Sequence, residues 1–118
     1  LGYVTDEELF LLYANANCFL FPSLYEGFGM PPLEAMVCGC PVVASSCASI
    51  PEICEDGALY CDPHNPEEWK AAIESLSYDA CMRKNLLEKA SKVIEKYHWQ
   101  ISAKKVLETI ACISGTHF

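Results

Sequence analysis

An α/β fold organised as a doubly wound parallel sheet is the class this sequence predicts, and three observations predict it. Short, unbroken apolar runs occur at CFLFP (18–22), PVVAS (41–45) and ALYC (58–61). Stretches of helical periodicity alternate with these runs through residue 76. Capping residues, prolines and glycines punctuate the boundaries. Strands that alternate with helices call for right-handed crossovers onto a shared sheet. The length, 118 residues, suits one domain at most.

The elements follow in order. LGYV at the start reads as the end of a strand that begins further upstream. In TDEELFLLYANAN, Thr5 and Glu8 have capping-box spacing, with Val4 and Leu9 as the hydrophobic staple. Leu9, Leu12, Tyr13 and Ala16 then fall on one helical face. CFLFP is a continuous apolar run ended by Pro22, which predicts a strand buried on both faces. Pro31 and Pro32 fit only the first turn of a helix, where missing N–H groups cost nothing. That helix runs through LEAMVC and stops at Gly39, a good left-handed terminator. PVVAS is the next strand, SIPEICEDG a loop with a short helix, and ALYC the third strand.

Beyond residue 62 the chain is helical. Asn65 caps, Pro66 takes the first position and Glu68 closes the box. Trp69, Ala72, Ile73 and Leu76 form the apolar stripe of this helix. A second helix starts near Asp79 and buries Leu86, Ala90, Val93, Ile94 and Tyr97. A third is expected from about Trp99 to Ile113, with Val106, Leu107 and Ile110 inward.

Composition narrows the function classes. The chain is 52% hydrophobic and 20% charged, as for a globular core, and no apolar run reaches the ~20 residues of a membrane span. The N-terminus lacks the basic-then-apolar pattern of an export leader, so a cytoplasmic location is the expectation. The net charge is −8, and residues 1–69 contain no Lys or Arg but 11 Asp and Glu. Nucleic acid is therefore not an expected partner. The eight cysteines show no CxxC pair, and an export pattern is lacking, so reduced and mostly buried thiols are expected.

The stretch PSLYEGFGMPPLEAM (22–36) carries the chemistry. Glu26 and Glu34 have seven residues between them, among them Gly27, Phe28, Gly29 and the proline pair. In a parallel α/β sheet, ligands bind outside the carboxyl ends of the strands, where this strand–turn–helix segment falls. Glycines permit unusual backbone angles and close approach of a ligand. The N–H groups of Gly29, Met30 and Leu33, with the helix dipole, suit an anion such as a phosphate. An ionised Glu34 in the first helical turn can accept two hydroxyls, as a ribose diol offers. Glu26, before the turn, is within reach of a sugar or a developing positive charge. A first-turn glutamate is also common for dipole reasons alone, and Phe28 serves equally as a core plug.

LYANANCFLFPSLYEGFGMPPLEAMVCGCPVVASS resembles the C-terminal nucleotide-sugar-binding domain of GT-B glycosyltransferases. More narrowly, it is similar to the large retaining group called glycosyltransferase family 4 or group 1. PSLYEGFG, PPLEAM, GCPVVAS, IPEICEDGALYCDPHNPEEW and Trp99 all match that family's pattern. The resemblance implies a Rossmann-like sheet ending in two or three helices. It implies Glu34 on the ribose hydroxyls of a nucleotide-diphosphate sugar and Glu26 as the catalytic residue beside the donor sugar. It places the amides of Gly27, Phe28, Gly29 and Met30 against sugar and phosphates. The implied reaction transfers a hexose, with retention, to a sugar, lipid-linked or glycan acceptor, with no cofactor and no required metal.

The family's enzymes also have an acceptor-binding N-terminal domain, and an Arg and a Lys for the diphosphate early in the donor domain. The absence of cations from residues 1–69 agrees with those groups lying outside this chain. His64, in a loop before Asn65, is read as an exposed histidine and no substitute. The expectation is therefore a partial nucleotide-sugar-binding domain over 1–118. Alone it is expected to be inactive, to bind donor feebly and to self-associate through its cut sheet. Any attachment to the inner membrane face falls to the part outside the chain. A GT-B phosphorylase or epimerase, and a non-catalytic interaction module, are the competing readings.

Overall fold

The computed structural model describes residues 3–24, 30–47 and 49–114, with side chains except at Met30 and residues 98–114. Three parallel strands form one sheet in the order β1 (Phe19–Phe21), β2 (Val42–Ser45), β3 (Ala58–Cys61). Phe19 pairs with Val42, and Val42 with Ala58, so all three strands run in step and end on one edge. Helix α1 (Asp6–Asn15) precedes β1. Helix α2 (Met30–Val37) joins β1 to β2, and α3 (Ile50–Cys54) with a 3-10 turn at Glu55–Gly57 joins β2 to β3. Helices α4 (Pro66–Tyr78) and α5 (Ala80–Ser114) complete the chain. The doubly wound α/β class predicted from the sequence is observed.

Side-chain alternation along the strands divides the core. On one face Val42, Ala44 and Ala58 meet Leu33, Ala35 and Met36 of α2, Ile50 and Ile53 of α3, and Ala90 and Val93 of α5. Tyr13 of α1 joins this layer, its ring edge-on to Phe19 at 5.3 Å. On the other face Val43 and Cys61 meet Leu76 of α4 and Leu86 of α5. β2 is buried at every position because it alone has a strand on both sides.

The local punctuation holds. Glu8 N–H donates to Thr5 Oγ1 and Thr5 N–H to the Glu8 carboxylate, completing the capping box. Pro31 and Pro32 occupy the first turn of α2. Gly39 has φ +75. Its N–H donates to Met36 O, and Cys40 N–H to Ala35 O, so a Schellman motif ends α2.

Four expectations are corrected. Tyr3 and Val4 belong to no strand. β1 is not buried on both faces: Leu20 is 42% exposed, because β1 is a sheet edge here. Leu12, assigned to the inward face of α1, is 43% exposed, while Tyr13 carries the contact. The break expected near Trp99 is absent, since Ala80–Ser114 is one helix containing neither Gly nor Pro to end it. The inward positions expected of Val106, Leu107 and Ile110 lie outside the described side chains.

Candidate functional site

Parallel strands put their carboxyl ends together, and the start of α2 lies at that same end because α2 follows β1 after a loop. Pro32 and Leu33 are fully buried and hold the first turn of α2 against the sheet. Ala35 and Met36 continue that buried stripe, whereas Glu34 is exposed. Its orientation follows from helical geometry, since the neighbours on either side of it point into the core. Among the described residues no hydrogen bond or ion pair occupies the Glu34 carboxylate. Its charge is felt nearby: Tyr13 and Cys38 titrate above their usual ranges, through burial first and Glu34 second.

Leu33, grouped with the binding residues for its main-chain donor, sends its side chain into the core at 1% exposure. Met30 is the first residue of α2. Glu26, Gly27, Phe28 and Gly29 lie outside the described residues.

The other two strand ends are firmly built. After β3, Asp62 N–H donates to the Glu68 carboxylate at 2.7 Å, and Trp69 Nε1–H donates to Asp62 O at 2.9 Å. His64 is exposed, its main-chain N–H donating to the Asp62 carboxylate at 2.9 Å. The Asn65 side chain caps α4 by accepting from Glu67 N–H. The expected box does not close, because Glu68 is spent on Asp62 N–H and the Asn65 amide instead of the Asn65 main chain. Sequence spacing cannot reveal this, as Asp62 reaches Glu68 only through the turn that Pro63 and His64 make.

Two further features escaped sequence reasoning. Ser45, at the end of β2, is fully buried and its hydroxyl donates to Ser23 O in the segment leading to Glu26. Arg83 of α5 donates to Asn17 O at 2.5 Å and to Asn17 Oδ1 at 3.2 Å, while Asn17 Nδ2–H donates to Ser77 Oγ. These bonds fasten the loop entering β1 to the junction of α4 and α5.

Seven cysteines are described, all free; Cys40, Cys54 and Cys61 are buried and Cys81 is exposed. Burial pushes Cys40 and Cys54 up to about 11. These are core thiols that stay protonated at neutral pH, not nucleophiles. Among the described residues, no group of three His, Cys, Asp or Glu is placed to hold a metal ion. A cleft of about 570 Å³ beside Leu20, Pro22, Pro63 and Trp69 is almost wholly apolar, with Lys70 and Glu74 at its margin. It lacks the polar donors a sugar or phosphate needs. The Glu34 end of α2 is the more polar candidate.

The fold and the site thus define a doubly wound α/β domain that presents a carboxylate and a helix start at its strand ends, where such domains take ligands. The family model of the group 1 glycosyl transferases matches residues 1–93, and the chain belongs to that family. It is 42% identical over 100 residues to the O-antigen chain mannosyltransferase B of Escherichia coli, covering 85% of this chain and 26% of that protein. It is 35% identical over 107 residues to the serotype-specific mannosyltransferase WbdA of Escherichia coli, covering 91% of this chain and 13% of that protein. The sucrose-phosphate synthase structure from Thermosynechococcus elongatus matches with a TM-score of 0.77 at 25% identity, over 98% of this chain and 30% of that one. The fold is accordingly a Rossmann-like domain of the GT-B type. The chain spans about a quarter of the first relative's length and less of the second's. No helix among the described residues is long and apolar enough to cross a membrane.

Proposed function

We propose that residues 1–118 are the donor-binding part of a retaining glycosyltransferase that moves a hexose from a nucleotide-diphosphate sugar to a sugar, lipid-linked or glycan acceptor. The observation that carries this reading is Glu34: an exposed carboxylate in the first turns of α2, flanked by buried neighbours. Its two oxygens accept the two ribose hydroxyls. Glu26, before the turn, is the catalytic residue beside the donor sugar, binding its hydroxyls or steadying positive charge at the anomeric carbon. The main-chain donors of Gly27, Phe28, Gly29 and Met30, and the start of α2 near Leu33, face the sugar and the diphosphate.

The leaving diphosphate gains negative charge, so donors aimed at it lower the barrier. Residues 1–69 carry no Lys or Arg, so the cations for that task come from outside this chain. No metal or cofactor is needed in this scheme. The acceptor is bound by a separate N-terminal domain. The names of the curated relatives make mannose the first donor sugar to test.

The test uses the full-length protein carrying this chain and a panel of nucleotide-diphosphate mannoses and glucoses. Glu34→Ala removes one or two hydrogen bonds to a charged acceptor, each worth about 1.5–3 kcal/mol, so donor affinity by calorimetry falls at least about tenfold. Glu26→Gln lowers kcat by about a hundredfold with smaller change in binding. Unchanged donor affinity in Glu34→Ala overturns the assignment. Product analysis with and without inorganic phosphate separates transfer from phosphorolysis.

A further inference from the structure

We propose that Ser45 is a positioning residue for the turn that carries Glu26, a role that rests on the donor-site reading above. Ser45 is the one polar side chain among the described residues that is wholly buried, at 0% exposure. It ends β2, pairing with Cys61 of β3, and its hydroxyl donates across to Ser23 O. The β1–β2 register explains why that bond is needed. Phe21 pairs with Ala44, so the next position on β1 is Pro22, which has no N–H to continue the ladder.

Backbone pairing between the two strands therefore stops at the point where the chain leaves the sheet for the turn. The Ser45 hydroxyl spans the gap. It holds the Ser23 carbonyl, three residues before Glu26, to the end of the central strand. β2 is the most rigid element available for this, since every residue in it is buried. Glu34 is placed differently, by Pro32 and Leu33 packed in the core, and does not depend on this bond. The two carboxylates thus have separate supports. Loss of the Ser45 hydroxyl shifts the turn and its Glu26 while leaving α2 and Glu34 in place.

The two supports predict a split between catalysis and binding. In the full-length protein, Ser45→Ala lowers kcat by about 10- to 100-fold, as expected for a small misplacement of a reacting group. The affinity for the free nucleoside diphosphate, set through Glu34, stays within about threefold of the parent. Ser45→Thr keeps a hydroxyl of the same reach and recovers kcat to within about fivefold, the remainder reflecting its extra methyl in a full site. Rates are expressed per nucleotide-binding site, so that a loss of folded protein does not count as a loss of kcat. Where Ser45→Ala does not fold, Ser45→Cys, of similar size and weaker donor strength, is judged by the same criteria.

A kcat for the hydroxyl-free variant within about twofold of the parent overturns the proposal. So does a parallel fall in kcat and nucleotide affinity, which indicates general damage to the site, or a folded Ser45→Thr that recovers nothing. Glu34→Ala separates the two claims. If it leaves nucleotide affinity unchanged, the donor-site reading fails whatever the Ser45 variants do. If it weakens binding while Ser45→Ala keeps its kcat, the positioning role of Ser45 alone fails.

Discussion

Gly57 offers a quantitative test of how α5 is docked on the sheet. The residue ends the 3-10 turn that leads into β3 and is buried against α5 and α2. A Cβ added there meets Ala90 Cα at 3.0 Å, Val93 Cγ2 at 3.2 Å and Met36 Cε at 3.3 Å. Carbon atoms pack best at about 3.5–4.0 Å, so all three contacts are too close. Met36 Cε is the end of a flexible side chain and can rotate away. Ala90 Cα is helix backbone, and it yields only if the helix moves by about half an ångström or more. Such overpacking costs typically about 1–3 kcal/mol, and the backbone contact argues for about 2 kcal/mol in Gly57→Ala.

For a chain of this size that corresponds to a fall in Tm of roughly 8 °C. Urea denaturation with fitted slopes is the assay, since an unchanged slope assigns the loss to stability alone. Gly39→Ala is the control. Its Cβ meets nothing within 4 Å, but φ is +75 there. Its cost of about 1 kcal/mol is therefore backbone strain without a clash. Met36→Ala rescues the Gly39 variant not at all and the Gly57 variant only slightly, because the Ala90 contact remains. A Gly57→Ala protein within about 0.5 kcal/mol of the parent refutes the packing argument.

Other outcomes follow from the same contacts. Arg83→Ala removes both bonds to Asn17 and lowers stability by about 1 kcal/mol in denaturant unfolding, and Arg83→Lys does not restore it because a single ammonium cannot span the two acceptors. Lys96→Ala changes stability by less than about 0.5 kcal/mol, since its 2.6 Å ion pair with Glu55 is largely in solvent. Cys40 and Cys54 have folded values raised to about 11 from 9.0 in the free thiol, so the stability they contribute is full below pH 9 and lost as pH rises toward 11. A pH series of unfolding midpoints shows this decline, and Cys54→Ala makes it shallower, although it also lowers the plateau. The isolated 118-residue chain shows no turnover and only weak donor binding, and light scattering detects self-association through exposed Leu11, Leu20 and Leu24. Turnover, micromolar donor affinity or a clean monomer contradicts the corresponding expectation.

Much of this fold was legible in sequence because its signals are short-range. Thr5 with Glu8, Asn65 with Pro66, and Pro31–Pro32 followed by Gly39 each satisfy or block main-chain groups within a few residues of themselves. The apolar runs 18–22, 41–45 and 58–61 could become strands, and only a shared sheet buries them together. Glu34 was also legible, since a helix start fixes which neighbours turn inward. Where sequence reading failed, the deciding partner was distant or the signal had two meanings. Glu68 has box spacing to Asn65, yet the nearer free donor in space is Asp62 N–H. Trp99 looked like a boundary, but without Gly or Pro the helix had no reason to stop.

By itself the sequence determined the order of elements, the parallel class of the sheet, and the pairing of a glycine-rich turn with two carboxylates in one segment. Those properties depend on hydrophobic period and on capping chemistry, which act over a few residues. The tertiary structure alone decided that β1 is an edge while β2 is central, that Ser45 bridges to Ser23 past Pro22, and that Gly57 admits the backbone of α5. Each of these joins residues tens of positions apart, and no local preference specifies such a meeting. It is set by which strands lie side by side once the whole core has been packed.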